Sequence, residues 1–573
     1  MEVFLGISAV KGSGIGTAFV IPDPVKRAIP QHHIKIDQIN KGWARFETAV
    51  QTVTLNLSEQ LDSLSKTDPK DKVQREVLET YILMLEDPVF TQEVRDFFEH
   101  ELFNIEYTVQ FKAEEYASKL RQAGNYYLSE RAQDITDVFG KVLDEMLDIH
   151  PFDINRVPDG SVIFATSLSS ADTIILSKRK IMGLALSEGG VSSHVVILAR
   201  NYGIPTIVGL EDIIKKVKNG ETVILDGTEA EVLVSPDRGT IEDYKAKIRA
   251  EYQHKVELRK YLGKPALTKD GVLFNLMANI GTPEEAELAK AEGADGIGLF
   301  RTEFLYMAQS GASLNAAARS FSEETQFEAY KHVLQIMGDK PVTIRTLDAG
   351  GDKLINSVDI PIVDEKNPLM GMRAVRLSLQ CPNVLKTQLR ALYKASVYGN
   401  LRIMFPLITS VEQVKQLMEI VKQAKAELDY EKVPYKNDIP IGIMIETAAA
   451  AIVSDTLTRV SDFFSLGTND LTQYTLAVDR ENSRVADLYD EFNLAVLRLI
   501  QLTVDSAKSA NLPVSVCGEM AGRQDSVMVL GGMGIRTLSM SPKLISSTKE
   551  LLSRFTIEEL EAVSTKYLTG VKI

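Results

Sequence analysis

Short runs of apolar residues recur along the C-terminal half of the chain, and most of them end in a charged or polar cluster. Each run has the length of a strand, and stretches with helical periodicity separate one run from the next. The runs cover residues 275–280, 296–301, 343–348, 402–407, 441–446, 463–470, 514–519 and 537–541. Eight such alternations predict a (β/α)8 barrel over residues 263–573.

The ends of these predicted strands carry polar and charged side chains. In a (β/α)8 barrel the active site lies at the C-terminal ends of the strands. The residues found there are Arg301, Arg345, Asp348, Glu446, Asn469, Asp470 and Cys517. Arginines beside carboxylates at one mouth favour a site for a divalent metal ion and a phosphorylated anion, so the pattern predicts an enzyme.

The N-terminal half begins and ends with strand-like sequence. Residues 1–21 are rich in glycine and in residues typical of strands. Further strand-like runs cover residues 161–165, 173–176, 182–186, 206–209, 222–225 and 231–234. We expect residues 1–21 and 148–235 to form one α/β domain.

Residues 22–147 have few glycines and the pattern of an all-helical insert. Apolar residues recur every three or four positions at Phe46, Val50, Val53, Leu57 and Leu61, as on one face of a helix. A second predicted helix stops before Pro88, and the helical pattern then covers residues 92–120 and 128–147, which suggests two helical hairpins. Because this insert interrupts its host domain, we interpret it as a docking module. A charged, helix-compatible connector over residues 236–262 leads into the barrel.

Composition narrows the class of protein without identifying it. A length of 573 residues predicts several domains, and 45% hydrophobic with 25% charged residues is typical of a globular protein. A formal net charge of -14 argues against wholesale nucleic-acid binding. Two cysteines, Cys381 and Cys517, fit a reducing compartment. With no signal peptide and no membrane-length apolar run, we expect a cytosolic protein.

One of the seven histidines, His194, has a distinctive context. It follows a Gly-Gly turn and two serines over residues 189–193 and precedes a predicted helix over residues 195–200. Free N–H groups at a helix N-terminus and neighbouring hydroxyls suit a phosphate, and a largely neutral imidazole is a nucleophile. His194 could therefore accept a phosphoryl group. On spacing alone, simple packing of the ring against the turn is an equally open interpretation.

The motifs resemble a known family. Residues 189–194, followed by 199–200 and 203–209, resemble the phosphohistidine signature of the phosphoenolpyruvate-utilising enzymes. Barrel segments similar to that family, in the family's order, are 298–307, 345–348, 350–353, 367–373, 465–474 and 517–522. Length, domain order and the helical insert resemble the Enzyme I branch of the family, the phosphoenolpyruvate–protein phosphotransferases of the bacterial sugar phosphotransferase system.

This resemblance implies roles for individual residues. It makes His194 the phosphohistidine nucleophile and Cys517 the donor of a proton to the enolate carbon of the substrate. It implies substrate binding by Arg301, Arg345 and Arg480, with Arg373 as a further candidate, and places Asn469 beside the substrate. It makes Glu446 and Asp470 ligands of Mg²⁺, with Mn²⁺ possible. Taken singly, each arginine or carboxylate could instead form a structural ion pair, and Cys517 could be core filler.

The resemblance also implies partners. The phosphorylated histidine would pass its phosphoryl group to the histidine of an HPr-type carrier protein docked on the helical insert, as the first step of sugar uptake. A large domain rotation would be needed, because the histidine must meet both the barrel and the carrier. A homodimer through the barrel is the implied oligomeric state.

The chain departs from the family pattern at several positions. Lys11 replaces a usual proline, residues 167–171 replace an Asp-Leu-x-x-Ser segment, Asn493 and Leu494 replace His-Pro, and Arg523 stands where an acid is usual. None of these removes a predicted phosphate, metal or proton-transfer group. They bear on the geometry around His194 and on which carrier variant is recognised.

Two rival functions remain at this point. A pyruvate phosphate dikinase or phosphoenolpyruvate synthase shares the histidine domain and barrel, but it needs a large ATP-binding domain before the histidine. Only about 150 mostly helical residues, without a Gly-rich nucleotide loop, stand there. A catalytically silent scaffold is the rival from another class, and the presence of His194, Glu446, Asp470 and Cys517 argues against it.

Overall fold

The chain divides into two compact units, Met1–His254 and Lys255–Ile573, which are described separately. A computed structural model describes residues 1–22, 29–62, 64, 69–122, 126–149, 154–168, 170–177, 179–188, 194–210, 212–303, 305, 322–350, 365, 367–480, 482 and 484–570. Gly189–Ser193 of the histidine motif and residues 304, 306–307 and 351–353 of the barrel motifs lie outside these ranges.

The first unit contains an eight-stranded mixed sheet with the order β1-β8-β7-β3-β4-β5-β6-β2. Its strands are β1 (Glu2–Leu5), β2 (Ile7–Val10), β3 (Ser13–Val20), β4 (Ser161–Ala165), β5 (Gly183–Leu186), β6 (Thr206–Val208), β7 (Thr222–Asp226) and β8 (Glu231–Val234). Strands β3 to β6 run parallel, and β1 and β2 pair antiparallel with β8 and β6. The segment before the helical insert thus shares one sheet with the segment after it.

Both faces of this sheet are covered. In β4, Ile163 and Ala165 belong to one apolar cluster, whereas Val162 and Phe164 belong to another. Successive strand residues point to opposite faces, so a strand buried on both sides has an unbroken apolar sequence. The covering helices of this unit include α6 (Ser170–Ser177), α7 (His194–Tyr202) and α8 (Ile213–Lys216), numbered after the five insert helices.

The prediction of a strand over residues 173–176 is wrong, because these residues lie within α6. Thr173 and Leu176 are both fully buried and are three residues apart, as on one face of a helix. Four consecutive β-branched and apolar residues do not distinguish a buried strand from a buried helical turn. The remaining five strand-like runs of this region are strands.

The insert is helical, as predicted. Its helices are α1 (Ile39–Asp62), α2 (Pro69–Leu85), α3 (Pro88–Glu101), α4 (Ile105–Gln122) and α5 (Tyr126–Met146). The stripe on α1 faces a shared core, with Phe46, Val53 and Leu57 buried and Val50 and Leu61 half-buried against it. Helix α2 ends before Pro88, as the sequence predicts.

The continuous helical pattern over residues 92–120 is interrupted in the structure. Helix α3 ends at Glu101, Leu102 adopts a left-handed conformation with φ 54°, and α4 begins at Ile105. The backbone N–H of Asn104 donates to the His32 carbonyl at 2.9 Å, and Phe103 forms a bridge with His33. This pairing with a distant segment stops the helix, which local periodicity does not reveal.

The connector forms α9 (Arg238–Leu258), which the Asp237 side chain caps by accepting from the Thr240 N–H at 2.9 Å. The helix is followed by a short 3-10 turn, Arg259–Tyr261. The charged connector is therefore helical, as predicted.

The second unit is a closed parallel barrel. Its strands are β10 (Leu273–Ile280), β11 (Ile297–Phe300), β12 (Pro341–Arg345), β13 (Asn400–Phe405), β14 (Ile441–Ile445), β15 (Phe464–Leu466), β16 (Val514–Val516) and β17 (Thr537–Met540), with β9 (Ala266–Leu267) antiparallel to β10. Each pairs in parallel with the next, and the ring closes because β10 pairs with both β11 and β17. All eight predicted strands are confirmed.

Helices surround the barrel and share its outer core. They are α10 (Glu285–Ala291), α11 (Glu323–Met337), α12 (Ala374–Gln380), α13 (Pro382–Ala395), α14 (Val411–Tyr430), α15 (Ala448–Ile452), α16 (Ser454–Leu457), α17 (Thr468–Leu476), α18 (Leu494–Ser509), α19 (Gln524–Gly532), α20 (Ile545–Leu552) and α21 (Ile557–Leu568). A separate small cluster contains Leu299, Met404, Met444, Phe463 and Cys517. No helix within the described residues is long and apolar enough to cross a bilayer.

One buried ion pair ties α9 to the sheet of the first unit. The Asp226 carboxylate is fully buried at the end of β7, 2.6 Å from Lys247 Nζ, and accepts from the N–H groups of Thr228 and Glu229. Burial alone would raise the pKa of Asp226, but Lys247 and the two N–H donors outweigh it and hold that pKa below its ordinary value.

We expect Asp226→Asn to lower the stability of this unit by about 2 to 4 kcal/mol at neutral pH, because Lys247 loses its partner. The pKa of Asp226 is lower in the folded than in the unfolded protein. Its contribution to the free energy of unfolding is therefore complete above the unfolded-state pKa of about 3.9, and it is lost as the pH falls through the folded-state pKa. The measurement is urea unfolding followed by Trp43, the single tryptophan. As a control, Asp212→Asn breaks an exposed ion pair with Lys215 and should leave the free energy of unfolding unchanged. If Asp226→Asn and wild type had the same urea midpoint at pH 7, the stabilising role of the Asp226–Lys247 ion pair would be contradicted.

Candidate functional site

Charged side chains meet at the C-terminal ends of the barrel strands. Arg345 is the last residue of β12, Glu446 follows β14, and Asn469 and Asp470 lie in the first turn of α17, directly after β15. Cys517 follows β16, and Arg301 follows β11. Parallel strands end at one edge of a barrel, so the order of strands brings residues far apart in sequence to one mouth.

A chain of alternating charges forms the centre of this mouth. Arg345 Nη1 lies 2.7 Å from Asp348 Oδ2, and Arg373 Nη2 lies 2.8 Å from Asp348 Oδ1. Arg345 Nη2 also lies 3.0 Å from Glu303 Oε1. Arg345, Asp348 and Arg373 are all buried, so these contacts replace the water that the charges lose on folding.

Three carboxylates gather beside these arginines. One oxygen from each of Asp348, Glu446 and Asp470 lies within 4.8 Å of the other two. Asp470 also contacts cations, with Arg480 Nη1 at 3.3 Å and Arg373 Nη2 at 3.9 Å. Oxygen ligands at this spacing fit a hard divalent cation.

The electrostatics of the cluster support that fit. Glu446 is buried, and burial together with repulsion from Asp348 and Asp470 raises the pKa of its carboxyl above the ordinary value, against the pull of Arg345. Burial alone would lower the pKa of Arg345, but Asp348 and Glu303 outweigh it and raise that pKa. Ionisation of Glu446 beside Asp348 and Asp470 is therefore unfavourable, and a bound cation would favour the ionised form.

Cys517 lies buried beside the charged residues. Its Sγ accepts a hydrogen bond from Ser465 Oγ at 3.2 Å and is 3.7 Å from the Leu466 carbonyl oxygen. Burial raises the pKa of the Cys517 thiol, although the Ser465 hydrogen bond and the nearby charges of Arg345 and Arg301 act in the opposite direction. The thiol thus keeps its proton at neutral pH, which a proton donor requires.

Close backbone packing fixes the turn after Cys517. A Cβ on Gly518 would lie 1.9 Å from Thr468 Oγ1 and 2.8 Å from Asn469 Oδ1, so this approach requires glycine. Asn469 Oδ1 accepts from the Glu519 N–H at 2.8 Å, and its Nδ2 donates to Glu519 Oε1 at 3.3 Å. The β16 turn and the start of α17 are therefore held together.

The structure brings most of the predicted site residues together. Arg345, Arg373, Glu446, Asp470 and Arg480 are linked by the ion pairs and the carboxylate cluster described above. Arg301 is exposed at the end of β11, and Asn469 contacts Glu519 rather than the carboxylate cluster. The roles that the resemblance gives these residues stay predictions.

His194 is the first residue of α7 in the other unit. The serine and glycine residues before it lie outside the described part of the chain, as does its side chain. The predicted helix over residues 195–200 lies within α7, whereas the role of His194 as a nucleophile stays a prediction.

Sequence reasoning missed two members of the site, Glu303 and Ser465, and placed a third, Asp348, at the mouth without an individual role. Asp348 is the third carboxylate of the candidate metal cluster. Glu303 forms an ion pair with Arg345, and the Ser465 hydroxyl donates to Cys517. Asp348 had a signal, since it stands at a predicted strand end, but it was given no role. Glu303 lies two residues after the strand-end Arg301, and Ser465 is the one polar residue within β15.

The fold and the site define a class of protein: a barrel enzyme with arginines and carboxylates gathered at its mouth, an arrangement that suits an anionic substrate and a divalent cation. Family models agree with this. Residues 5–131 match the N-terminal domain of the PEP-utilising enzymes, residues 157–230 their mobile domain, and residues 255–557 their PEP-binding domain.

Individual relatives match almost the whole chain. The phosphoenolpyruvate-protein phosphotransferase of Priestia megaterium is 36% identical over 556 residues, 97% of this chain and 94% of the relative. The protein of the same name from Bacillus sp. (strain S) is 37% identical over 569 residues, 98% of this chain and 95% of the relative. A solution structure of an Enzyme I protein is 30% identical and covers 44% of this chain and 99% of its own, with a TM-score of 0.39.

The chain therefore belongs to the PEP-utilising enzymes and, within them, to the family of these phosphoenolpyruvate-protein phosphotransferases.

Proposed function

We propose that this enzyme transfers the phosphoryl group of phosphoenolpyruvate to its own His194 and then to the histidine of an HPr-type carrier protein, with release of pyruvate. Full-length similarity to phosphoenolpyruvate-protein phosphotransferases supports this activity. The single structural observation that carries it is the buried Arg345–Asp348–Arg373 chain beside Glu446 and Asp470.

The arginines account for substrate binding. Phosphoenolpyruvate carries a phosphate and a carboxylate, and the planar guanidinium group donates two parallel hydrogen bonds to either. Arg345 Nε is buried without a hydrogen-bond partner among the described residues, so this guanidinium still has an unused donor. Arg301, Arg373 and Arg480 supply further positive charge, and Asn469 lies at the same rim.

The carboxylates account for the metal ion. Glu446 and Asp470, with Asp348 beside them, would hold Mg²⁺, or Mn²⁺ in its place. The charges of Asp348 and Asp470 add to burial in raising the pKa of Glu446, and a bound cation would offset this effect. When bound, a divalent cation neutralises negative charge on the substrate oxygens. The protein's own part is to keep the three carboxylates within reach of one another.

The phosphoryl step uses a ring nitrogen of His194 as nucleophile. The nitrogen–phosphorus bond forms as the bond from phosphorus to the enolate oxygen breaks, and the arginines stabilise charge on the transferring group. Because His194 must meet both the barrel mouth and the carrier, the proposal includes a domain motion that brings the ring to the mouth. The same motion would present the phosphohistidine to a carrier docked on the helical insert.

Cys517 would complete the reaction. The leaving enolate takes a proton from Cys517 Sγ onto its methylene carbon, which gives pyruvate, and the thiolate is then reprotonated from solvent. The buried, protonated state of the thiol supports this role.

By the same resemblance we propose that transfer to the carrier is the first step of sugar uptake and that the protein is a homodimer through its barrel.

Incubation with radiolabelled phosphoenolpyruvate and Mg²⁺ should place an acid-labile phosphate on the peptide that contains His194. His194→Ala should remove the label, because the nucleophile is gone, whereas His254→Ala should keep it. Peptide mapping by mass spectrometry is the readout. Label on another side chain, or label from ATP without phosphoenolpyruvate, would contradict the proposal.

The role of Cys517 predicts that the enzyme exchanges the methyl protons of pyruvate with deuterated solvent. Cys517→Ala should slow this exchange about 10²- to 10⁴-fold, because the proton carrier is lost. Proton NMR of pyruvate measures the exchange separately from phosphoryl transfer, and Cys381→Ala is the matched control. Equal exchange in Cys517→Ala and wild type would rule out the role.

A further inference from the structure

The loop between α17 and α18 carries Arg480 at the mouth of the barrel. We call its described residues, 477–480, 482 and 484–493, the rim loop. At its start the Arg480 N–H donates to Gln473 Oε1 at 3.2 Å, and the Arg480 side chain reaches Asp470. The Arg480 side chain is 36% exposed, so its own packing does not fix its position.

The far end of the rim loop makes an ion pair between a buried carboxylate, Glu491, and a half-exposed guanidinium, Arg523, whose Nη2 also lies 3.0 Å from Asp525 Oδ2. Glu491 Oε2 lies 2.8 Å from Arg523 Nη1, and the Glu491 side chain is only 5% exposed. The Arg523 guanidinium also lies over the Phe492 ring, with its Cζ 5.5 Å from the ring centroid. Arg523 ends the turn that begins just after Cys517, at Glu519–Gly522.

A carboxylate buried at this point needs its cation. Burial raises the pKa of Glu491, Glu519 and Asp525 add repulsion, and Arg523 opposes them. Without Arg523, Glu491 would be a buried charge facing two other acids, and such a charge is expelled or neutralised. The Glu491–Arg523 pair therefore holds this end of the rim loop against the turn Glu519–Gly522, which we call the Cys517 turn.

Two further contacts continue from this pair to the substrate side of the mouth. Tyr489 Oη donates to the Asn469 carbonyl at 3.2 Å, and Asn469 in turn holds Glu519. The rim loop, the first turn of α17 and the Cys517 turn thus form a closed ring of contacts, with Arg480 and Asp470 on the same elements.

We propose that Glu491 and Arg523 act as positioning residues: their ion pair holds the rim loop against the Cys517 turn and so keeps Arg480 in place for an anionic substrate. This inference rests on the proposed function for its substrate, phosphoenolpyruvate. Neither residue has been placed among the groups that bind substrate or metal.

The test is a double-mutant cycle with Glu491→Gln, Arg523→Gln and the double variant. Glutamine keeps the approximate shape of each side chain and removes its charge. Each single variant should raise the KM for phosphoenolpyruvate about fivefold or more, and the double variant should be no worse than the worse single one, because the two act as one pair. The kcat should change less than KM. Effects that multiply in the double variant, or an unchanged KM in the single ones, would overturn the inference.

A second measurement separates this inference from the proposed function. Hydrogen exchange of the peptide over residues 484–493, without substrate, should be faster in all three variants than in wild type. Unchanged exchange would overturn the positioning role of the Glu491–Arg523 pair even if the enzyme is active. Conversely, faster exchange in a protein that takes no label from phosphoenolpyruvate would support that role and reject the proposed function. Arg554→Gln, which breaks a surface pair with Glu550, should alter neither readout.

Discussion

The mouth of the barrel depends on one constraint: several like charges are buried close together and must be compensated. Asp348 is compensated by two arginines, whereas Glu446 and Asp470 remain near it with their mutual repulsion only partly relieved. Such an arrangement costs stability unless ligands of both signs complete it. An anion on the arginines and a cation on the carboxylates would do so together, and this links the fold to the proposed phosphoryl transfer.

The barrel could be predicted from sequence because parallel strands buried on both faces leave unbroken apolar runs between helices. The failures came where tertiary contacts override local pattern. Residues 173–176 are a helical turn buried on one face, and the helix before Leu102 stops because residues 103–104 pair with His32 and His33. Neither contact leaves a periodic signal in the chain.

The candidate site was predictable to the extent that its residues end strands. Arg345, Glu446 and Asp470 follow that rule. The structure groups Glu446 and Asp470 with Asp348, which forms an ion pair with Arg345. Glu303 and Ser465 were missed because each acts by holding another side chain, which only coordinates reveal. The Glu491–Arg523 pair joins residues 32 positions apart, and its value depends on burial that sequence does not report.

The central claim is that the arginines and the carboxylates form one site completed by an anion and a cation together. Calorimetric titration of Mg²⁺ into the His194→Ala variant, which cannot turn over, tests it directly. Saturating phosphoenolpyruvate should lower the Kd of the protein for Mg²⁺ about tenfold or more. A protein-free titration corrects for Mg²⁺ that binds free phosphoenolpyruvate. Glu446→Gln should abolish this coupling between the two ligands. Equal Mg²⁺ affinity with and without phosphoenolpyruvate would show two independent sites and contradict the account.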